Sequence, residues 1–139
     1  MTKRIVKAGL CVVREGKLLI ARSAGDAYFQ IPGGKIDIGE SDVEALMREA
    51  SEELGIILNP DTALHLRTFE AAAAGRTDVI VEVRLYQADF AGTPRPLSEI
   101  AEVHWQSLTG PVVERSEMLS LHILPFLAKR DRLKDNKHE

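Results

Sequence analysis

The feature that most constrains the fold is a helix whose start and end are both marked in the sequence. Ser41 and Glu44 form a capping box, in which the serine hydroxyl and the glutamate carboxylate each accept a hydrogen bond from the other residue's backbone N–H. Gly55 readily adopts the left-handed conformation that ends a helix. A helix over Asp42–Leu54 is therefore predicted, and the rest of the chain must pack around it.

This predicted helix carries a cluster of carboxylates beside its core-facing side. At about 100° of rotation per residue, one apolar stripe is formed by Val43, Leu46, Met47, Ala50 and Leu54. Glu49, Glu52 and Glu53 fall within an arc of about 100° next to that stripe. Like charges at this spacing repel one another, and the single guanidinium of Arg48 cannot neutralise them all. The face is either a solvated acidic surface or a binding site for a cation.

Length and charge limit the class of protein. A chain of 139 residues with 45% apolar residues predicts one domain with an ample core. The net charge of −3 argues against a basic surface that binds nucleic acid. Apolar runs reach only about six residues, whereas a membrane-spanning helix needs about 20. The single cysteine, Cys11, cannot form an internal disulfide, which is typical of a protein in the reducing cytoplasm. Together with the charge and the short apolar runs, this leads us to expect a soluble, cytoplasmic protein without nucleic-acid or membrane partners.

The other elements are predicted from alternation of apolar and polar residues and from turn residues. A short apolar piece, 28–31, stops at Pro32-Gly33-Gly34, which predicts a loop. A second helix is predicted over 112–128, restarted or bent at Pro125, followed by a charged end, 129–139, as a frayed helix and tail. Strands are predicted over 3–13 and 18–21 as a hairpin turning at Glu15-Gly16, over 64–73 and 77–90 as a pair, and over 103–105. This order indicates an α+β fold.

The spacing around the first helix is that of a known motif. Gly34 is followed by five residues and Glu40, then by seven residues and the run Arg48-Glu49-Ala50-Ser51-Glu52-Glu53-Leu54-Gly55-Ile56. The arrangement resembles the Nudix box, and every polar and glycine position matches it. Ala50 is smaller than the aliphatic residue usual there, which affects helix packing more than chemistry. The resemblance implies one Nudix hydrolase domain over 1–139, an α/β/α sandwich with a mixed sheet, a central catalytic helix and a C-terminal helix.

The resemblance also implies a metal site. Mg²⁺ prefers carboxylate oxygens and substrate phosphates, which suits glutamates without cysteine or histidine among them. The implied ligands are Glu49, Glu52, Glu53 and the backbone carbonyl of Gly33, with a further ligand or base at Glu99 in the later loop. Mn²⁺ is expected to substitute for Mg²⁺.

Other residues of the motif have implied roles in catalysis and support. Arg48 orients a glutamate, and the general base is Glu49 or Glu52. Glu40 steadies the loop on the start of the helix, and Gly55 ends the helix.

Residues near the glycine pair are candidates for binding the substrate. Arg22 and Lys35 could hold phosphate oxygens, or be ordinary surface charges. Gly34 lets the backbone come close to phosphate. Tyr28 and Phe29 point to opposite faces if they lie in a strand, so one of them is expected to line a pocket for a base.

The function that this implies is Mg²⁺-dependent hydrolysis of a nucleoside diphosphate linked to another group. The first expectation is a nucleoside triphosphate, oxidised or not, cleaved to the monophosphate and pyrophosphate. The alternatives are a nucleotide sugar or a dinucleotide as substrate, or a Nudix module that senses a nucleotide without cleaving it. A homodimer is left open.

Overall fold

The computed structural model describes residues 2–73, 76–109 and 118–136, with side chains described as far as residue 131. The first helix, α1, spans Asp42–Leu54, a 3-10 turn spans Pro60–Thr62, a π-helical segment spans Met118–Ile123, and the second α-helix, α2, spans Leu124–Asn136. The strands are β1 Lys3–Leu10, β2 Val13–Arg14, β3 Lys17–Ser23, β4 Gly33–Lys35, β5 Ile57–Leu58, β6 Leu64–Ala72, β7 Val79–Gln87, β8 Phe90–Ala91 and β9 Ile100–Ser107. Within this described part of the chain, no helix is both long and apolar enough to cross a membrane.

The helix α1 begins and ends where the sequence predicts. The Ser41 hydroxyl accepts a hydrogen bond from the Glu44 backbone N–H at 3.1 Å, and the Glu44 carboxylate accepts one from the Ser41 N–H at 3.0 Å. Gly55 has a φ of 67° and closes the helix. The predicted apolar stripe faces the core, where Leu46 and Leu54 are fully buried.

Two main sheets make up the β structure. The larger has the strand order β4-β1-β7-β6, in which β1 runs parallel to β7 and antiparallel to β4. The second has the order β2-β3-β9, and β5 pairs with β8. The predicted pairing of the strands over 64–73 and 77–90 is confirmed as the antiparallel pair β6 and β7. The strand predicted over 103–105 is part of the longer β9.

The first predicted hairpin is wrong in its first half. The segment 3–13 is not one strand, because the chain leaves the larger sheet after β1 and enters the second sheet at β2. The backbone N–H of Cys11 bonds to the carbonyl of Tyr86 at 2.7 Å, whereas the Val12 carbonyl accepts a bond from Leu19 at 2.9 Å. The hairpin is therefore confined to β2 and β3, with the turn at Glu15 and Gly16.

A second difference concerns the glycine pair, which was predicted to lie in a loop. Gly33 and Gly34 belong to the edge strand β4, where they lie opposite Gly9 and Ala8 of β1. Gly33 has a φ of 138°, a conformation that favours glycine, and a Cβ there would collide with the Ala8 carbonyl oxygen. This close backbone approach brings the glycine pair against β1.

The larger sheet lies between two helical layers, which confirms the predicted sandwich with a mixed sheet. Ala8 and Leu10 of β1 pack in one apolar cluster with the buried face of α1. Val83 and Leu85 of β7 pack in a second cluster with the segment 118–127. Lys7, which is opposite Val83 in register, therefore faces the side of the sheet away from α1.

The C-terminal helical segment is confirmed in part. Of the predicted helix 112–128, the first six positions lie outside the described residues, and 118–128 are helical. The change from π to α geometry occurs at Leu124, directly before Pro125, as expected for a residue that cannot donate a backbone hydrogen bond. The predicted frayed end is α-helical as far as Asn136, and 137–139 lie outside the described residues.

Candidate active site

The Glu49 carboxylate lies directly against the backbone of the edge strand β4. A Cβ added to Gly34 would lie 2.5 Å from Glu49 Oε1, a separation too short for real atoms. The helix α1 packs along β4 and β1, so the glutamate side chain reaches the strand only because Gly34 carries no side chain. Glu49 is 15% exposed at its side chain.

Arg48 connects the loop before the helix to this carboxylate. Its Nε and Nη2 donate to the two oxygens of Glu40 at 2.8 and 2.9 Å, and its Nη1 donates to Glu49 Oε1 at 2.7 Å. Nη2 also donates to the Lys35 carbonyl at 3.1 Å. Glu40 accepts a further hydrogen bond from the Asp37 backbone N–H at 2.9 Å. Hydrogen bonds from Arg48 and from the Asp37 backbone lower the pKa of Glu40 to about 2, so Glu40 is ionised at neutral pH.

Glu53 and Glu49 form a close pair of carboxylates. Burial raises the pKa of Glu53 to about 8, and the hydrogen bond with Glu49 and its charge add to this effect. A hydrogen bond with the Gly33 backbone and the charge of Lys7 oppose it. Glu53 therefore holds its proton at neutral pH as long as no cation is bound beside it. The pair is therefore a place where positive charge is stabilised.

The side chains present fit a hard divalent cation only in part in this conformation. Glu49 and Glu53 are together, but Glu52 is 58% exposed and lies within 3.8 Å of Arg48. In residues 2–73, 76–109 and 118–131, no group of three or more His, Cys, Asp or Glu side chains is arranged to hold a metal ion. The donors are all oxygen atoms, and the shared charge of the pair favours a cation, so the chemistry fits Mg²⁺ or Mn²⁺. A third carboxylate would have to turn inwards.

A cavity of about 280 Å³ opens next to the glycine pair, on the side of the sheet away from α1. Gly33, Gly34 and Lys35 form one wall, and Tyr28 and Gln30 lie at another. The remainder of the lining is mostly apolar and comes from Ile5, Ile31, Ala71, Val81, Val83 and Met118. A larger cavity of about 810 Å³ lies around 11–16 and 87–90, and none of the predicted site residues lines it.

The two aromatic candidates separate as strand alternation predicts. Tyr28 is 45% exposed and lines the cavity of about 280 Å³. Phe29 is 8% exposed, packs in the core and contacts the ring of His104 at 5.8 Å between centroids. Of the two, only Tyr28 is at the cavity.

Arg22 and Glu99 lie outside the carboxylate pair. Arg22 donates to Glu102 at 2.9 Å and to the Asp26 carbonyl at 3.0 Å, so both of these interactions hold it across β3 and β9. Glu99 is exposed in the turn before β9, where its carbonyl accepts a hydrogen bond from Ala24 at 2.7 Å. Throughout the described chain, Glu99 forms no hydrogen bond or ion pair with the glutamates of α1.

Lys7 is a site residue that the sequence reasoning missed. It lines the cavity, lies opposite Lys35 in the register of β1 and β4, and its charge acts on Glu49 and Glu53. The signal that could have found it is a lysine between Val6 and Ala8, within the part of the strand that is otherwise apolar from Ile5 onwards.

Comparison with known proteins decides the family. A model of the NUDIX domain matches residues 3–125, which include the glycine pair, the helix and the cavity. The chain belongs to the Nudix family. It is accordingly a hydrolase of that family, and Nudix hydrolases generally use divalent metal ions and act on small nucleotide substrates.

Individual relatives place this Nudix chain near MutT-like proteins. It is 35% identical over 74 residues to the 8-oxo-dGTP diphosphatase of Escherichia coli K12, which covers 50% of this chain and 54% of that protein. It is 27% identical over 136 residues to a MutT-like protein of Streptomyces ambofaciens, covering 94% and 83% of the two chains. The crystal structure of a MutT NUDIX hydrolase from Burkholderia pseudomallei is similar at a TM-score of 0.71 and 28% identity, over 86% of this chain and 95% of that one. The match to the E. coli enzyme thus spans only about half of its length.

Proposed function

We propose that this Nudix hydrolase is a Mg²⁺-dependent pyrophosphohydrolase that converts a nucleoside triphosphate, oxidised or not, to its monophosphate and pyrophosphate. The observation that carries the proposal is that the glycine pair connects two parts of the site: Gly33 and Gly34 line the cavity of about 280 Å³, and the same two residues contact Glu53 and Glu49. A mostly apolar cavity suits a nucleobase, and carboxylates with a cation suit a phosphate chain. The similarity to MutT-like proteins supports the same choice.

Each part of the site has a role in this proposal. Glu49, Glu52, Glu53 and the Gly33 carbonyl would hold the metal ion, with Glu99 as an additional ligand or base if its loop moves towards the site. When bound, Mg²⁺ neutralises phosphate charge and lowers the pKa of a coordinated water.

The supporting residues act through position. Arg48 donates hydrogen bonds to both Glu49 and Glu40 and thereby holds the Glu49 carboxylate against β4. A substitution of Arg48 or of Glu40 should therefore displace the Glu49 carboxylate. Gly34 leaves room for the carboxylate of Glu49, and Gly55 ends the helix.

Substrate contacts come from the cavity wall and the neighbouring loop. Tyr28 packs against the base, and Phe29 supports that wall from the core. Lys35 binds phosphate oxygens, and Arg22 joins it if its bond to Glu102 opens. Because Arg22 is already paired, we expect Lys35 to contribute more to affinity.

The reaction balances as a hydrolysis. A water oxygen attacks phosphorus, one phosphoanhydride P–O bond breaks, and the leaving phosphate group keeps the electron pair. Glu49 or Glu52 accepts the water proton. Attack at the α-phosphorus and attack at the β-phosphorus both give nucleoside monophosphate and pyrophosphate, and they differ only in which product receives the water oxygen.

A substrate screen tests the proposal. The protein is incubated with Mg²⁺ and a panel of nucleoside diphosphates, nucleoside triphosphates with normal and oxidised bases, nucleotide sugars and dinucleotides. Pyrophosphate and orthophosphate are measured separately, and reactions in ¹⁸O water identify the phosphorus attacked. We expect pyrophosphate from a triphosphate as the fastest reaction.

Other outcomes would contradict the proposal in different ways. Orthophosphate as the sole product, or cleavage only of nucleotide sugars or dinucleotides, would move the protein to another branch of the Nudix family. Nucleotide binding without any turnover would indicate a sensing module.

A further inference from the structure

Lys7 occupies the boundary between the carboxylate pair and the cavity. It lies on β1 directly opposite Lys35 of the edge strand and next to Val83 of β7. Its side chain is half-buried and lines the cavity of about 280 Å³ together with Gly33 and Gly34. The Lys7 ammonium thus belongs to the cavity wall, and its charge also interacts with Glu49 and Glu53.

The charges around Lys7 do not balance it well. Glu53, Asp26 and Glu49 favour its charged form, but burial and the neighbouring Lys35 together lower its pKa. Three elements supply these groups: α1 carries the two glutamates, β4 carries Lys35, and the loop after β3 carries Asp26. A half-buried ammonium that is disfavoured in this way is costly unless something compensates it.

Binding of a cation to the glutamates changes this balance further. The carboxylates that face Lys7 would then be neutralised, and Lys7 and Lys35 would be left as adjacent positive charges beside the cation. An anion between them is the partner that compensates such a group. A phosphate in the part of the cavity lined by Lys7, Gly33, Gly34 and Lys35 has the right charge.

We propose that Lys7 binds the phosphate group that stays with the nucleoside when the substrate is cleaved. This inference rests on the proposed function, in which the base occupies the cavity and the scissile bond lies at the carboxylates. Lys7 is located between those two positions, so it contacts the phosphate nearest the nucleoside. A lysine at this position is not part of the Nudix box, so the contact would be a property of this chain.

The test measures binding of nucleoside monophosphates in the presence of EDTA, which separates phosphate binding from catalysis. Isothermal titration with AMP, GMP, CMP and UMP first identifies the monophosphate that the wild-type protein binds best. Lys7→Met should raise the Kd of that monophosphate by about tenfold or more, a loss expected for one charge-assisted contact. Lys7→Arg should retain most of the affinity. The matching nucleoside, which lacks phosphate, should bind equally to all three proteins.

Lys3→Met is the matched control, because Lys3 lies on the same strand but is exposed and does not line the cavity. Its Kd should stay within about twofold of the wild-type value. Circular dichroism and thermal denaturation verify folding. If Lys7→Met is unfolded, Lys7→Gln serves in the same titration.

A second measurement checks that the carboxylate pair is intact in the variant. Mn²⁺ affinity, followed by electron paramagnetic resonance without nucleotide, should be unchanged or tighter in Lys7→Met. An unchanged monophosphate Kd in Lys7→Met would overturn the inference and leave Lys7 as a counter-ion of Glu53. Failure of the wild-type protein to bind any of the monophosphates would also overturn the inference, whereas the proposed function fails only if the substrate screen gives no pyrophosphate from a triphosphate, so the two failures are distinguishable.

Discussion

Replacing Glu53 by glutamine should stabilise the metal-free protein, and the gain should grow with pH. Burial and the neighbouring Glu49 raise the pKa of Glu53 to about 8 from an ordinary value of 4.5. The folded state therefore keeps a proton that the unfolded chain releases in this interval. Stability must fall as the pH rises from about 4.5 to about 8, because the unfolded state binds fewer protons there.

The magnitude follows from the same difference. At about 1.4 kcal/mol for each pKa unit, the upper limit is about 5 kcal/mol. Partial exposure and screening by solvent reduce this to about 1–2 kcal/mol. For a domain of this size, about 4 °C in Tm corresponds to each kcal/mol, so Glu53→Gln should melt about 4–8 °C higher than wild type at pH 8.5. At pH 4 both proteins carry a neutral side chain, and their Tm values should nearly coincide.

The assay is thermal denaturation in EDTA at pH values from 4 to 9. Glu52→Gln is the matched control, since it makes the same change one position earlier on an exposed side chain and should shift stability by less than about 0.5 kcal/mol. Addition of Mn²⁺ should stabilise the wild-type protein and remove its decline with pH, but should stabilise Glu53→Gln less. A Tm difference between Glu53→Gln and wild type that is absent, or constant over the whole pH range, would refute this reasoning.

Four other changes have expected outcomes. Removal of divalent metal with EDTA should abolish turnover, and full activity with metal content near zero would contradict the metal-dependent mechanism. Glu52→Gln should lower kcat by about 10² or more at saturating metal while the circular dichroism spectrum is unchanged, and near wild-type kcat would reject its role. Gly34→Ala should reduce kcat by at least about tenfold with a normal fold, because the added Cβ would lie 2.5 Å from Glu49 Oε1 and push the carboxylate away. Normal activity would show that this close packing is dispensable. Tyr28→Ala should raise KM more than it lowers kcat if the ring contacts the base, and steady-state kinetics separate the two.

Local signals in the sequence specify both ends of α1 and its cluster of glutamates. The capping box at Ser41 and the left-handed Gly55 are local signals, since each acts within a few residues along the chain, and both ends of α1 follow them. The pairing of β6 with β7 was also accessible, because one turn joins two alternating segments. The spacing from Gly34 to Gly55 is by itself enough to indicate the Nudix family.

The failures of prediction come from long-range pairing. Residues 3–13 alternate only loosely and end in an uninterrupted apolar run, so nothing local marks Cys11 and Val12 as the point where the chain passes between sheets. The sequence around the glycine pair predicts a loop, because glycine and proline disfavour strands. In the structure the pair lies in an edge strand, where backbone pairing with β1 stabilises the extended conformation.

The site itself was decided by tertiary structure. The helical spacing already makes Glu49 and Glu53 neighbours, but the raised pKa of Glu53 arises mainly from burial, which the sequence does not show. Lys7 reaches the site only because β1 lies next to β4 and places it opposite Lys35, almost thirty positions away along the chain. Charge, spacing and caps are local properties of the sequence, whereas burial and proximity depend on which strands become neighbours.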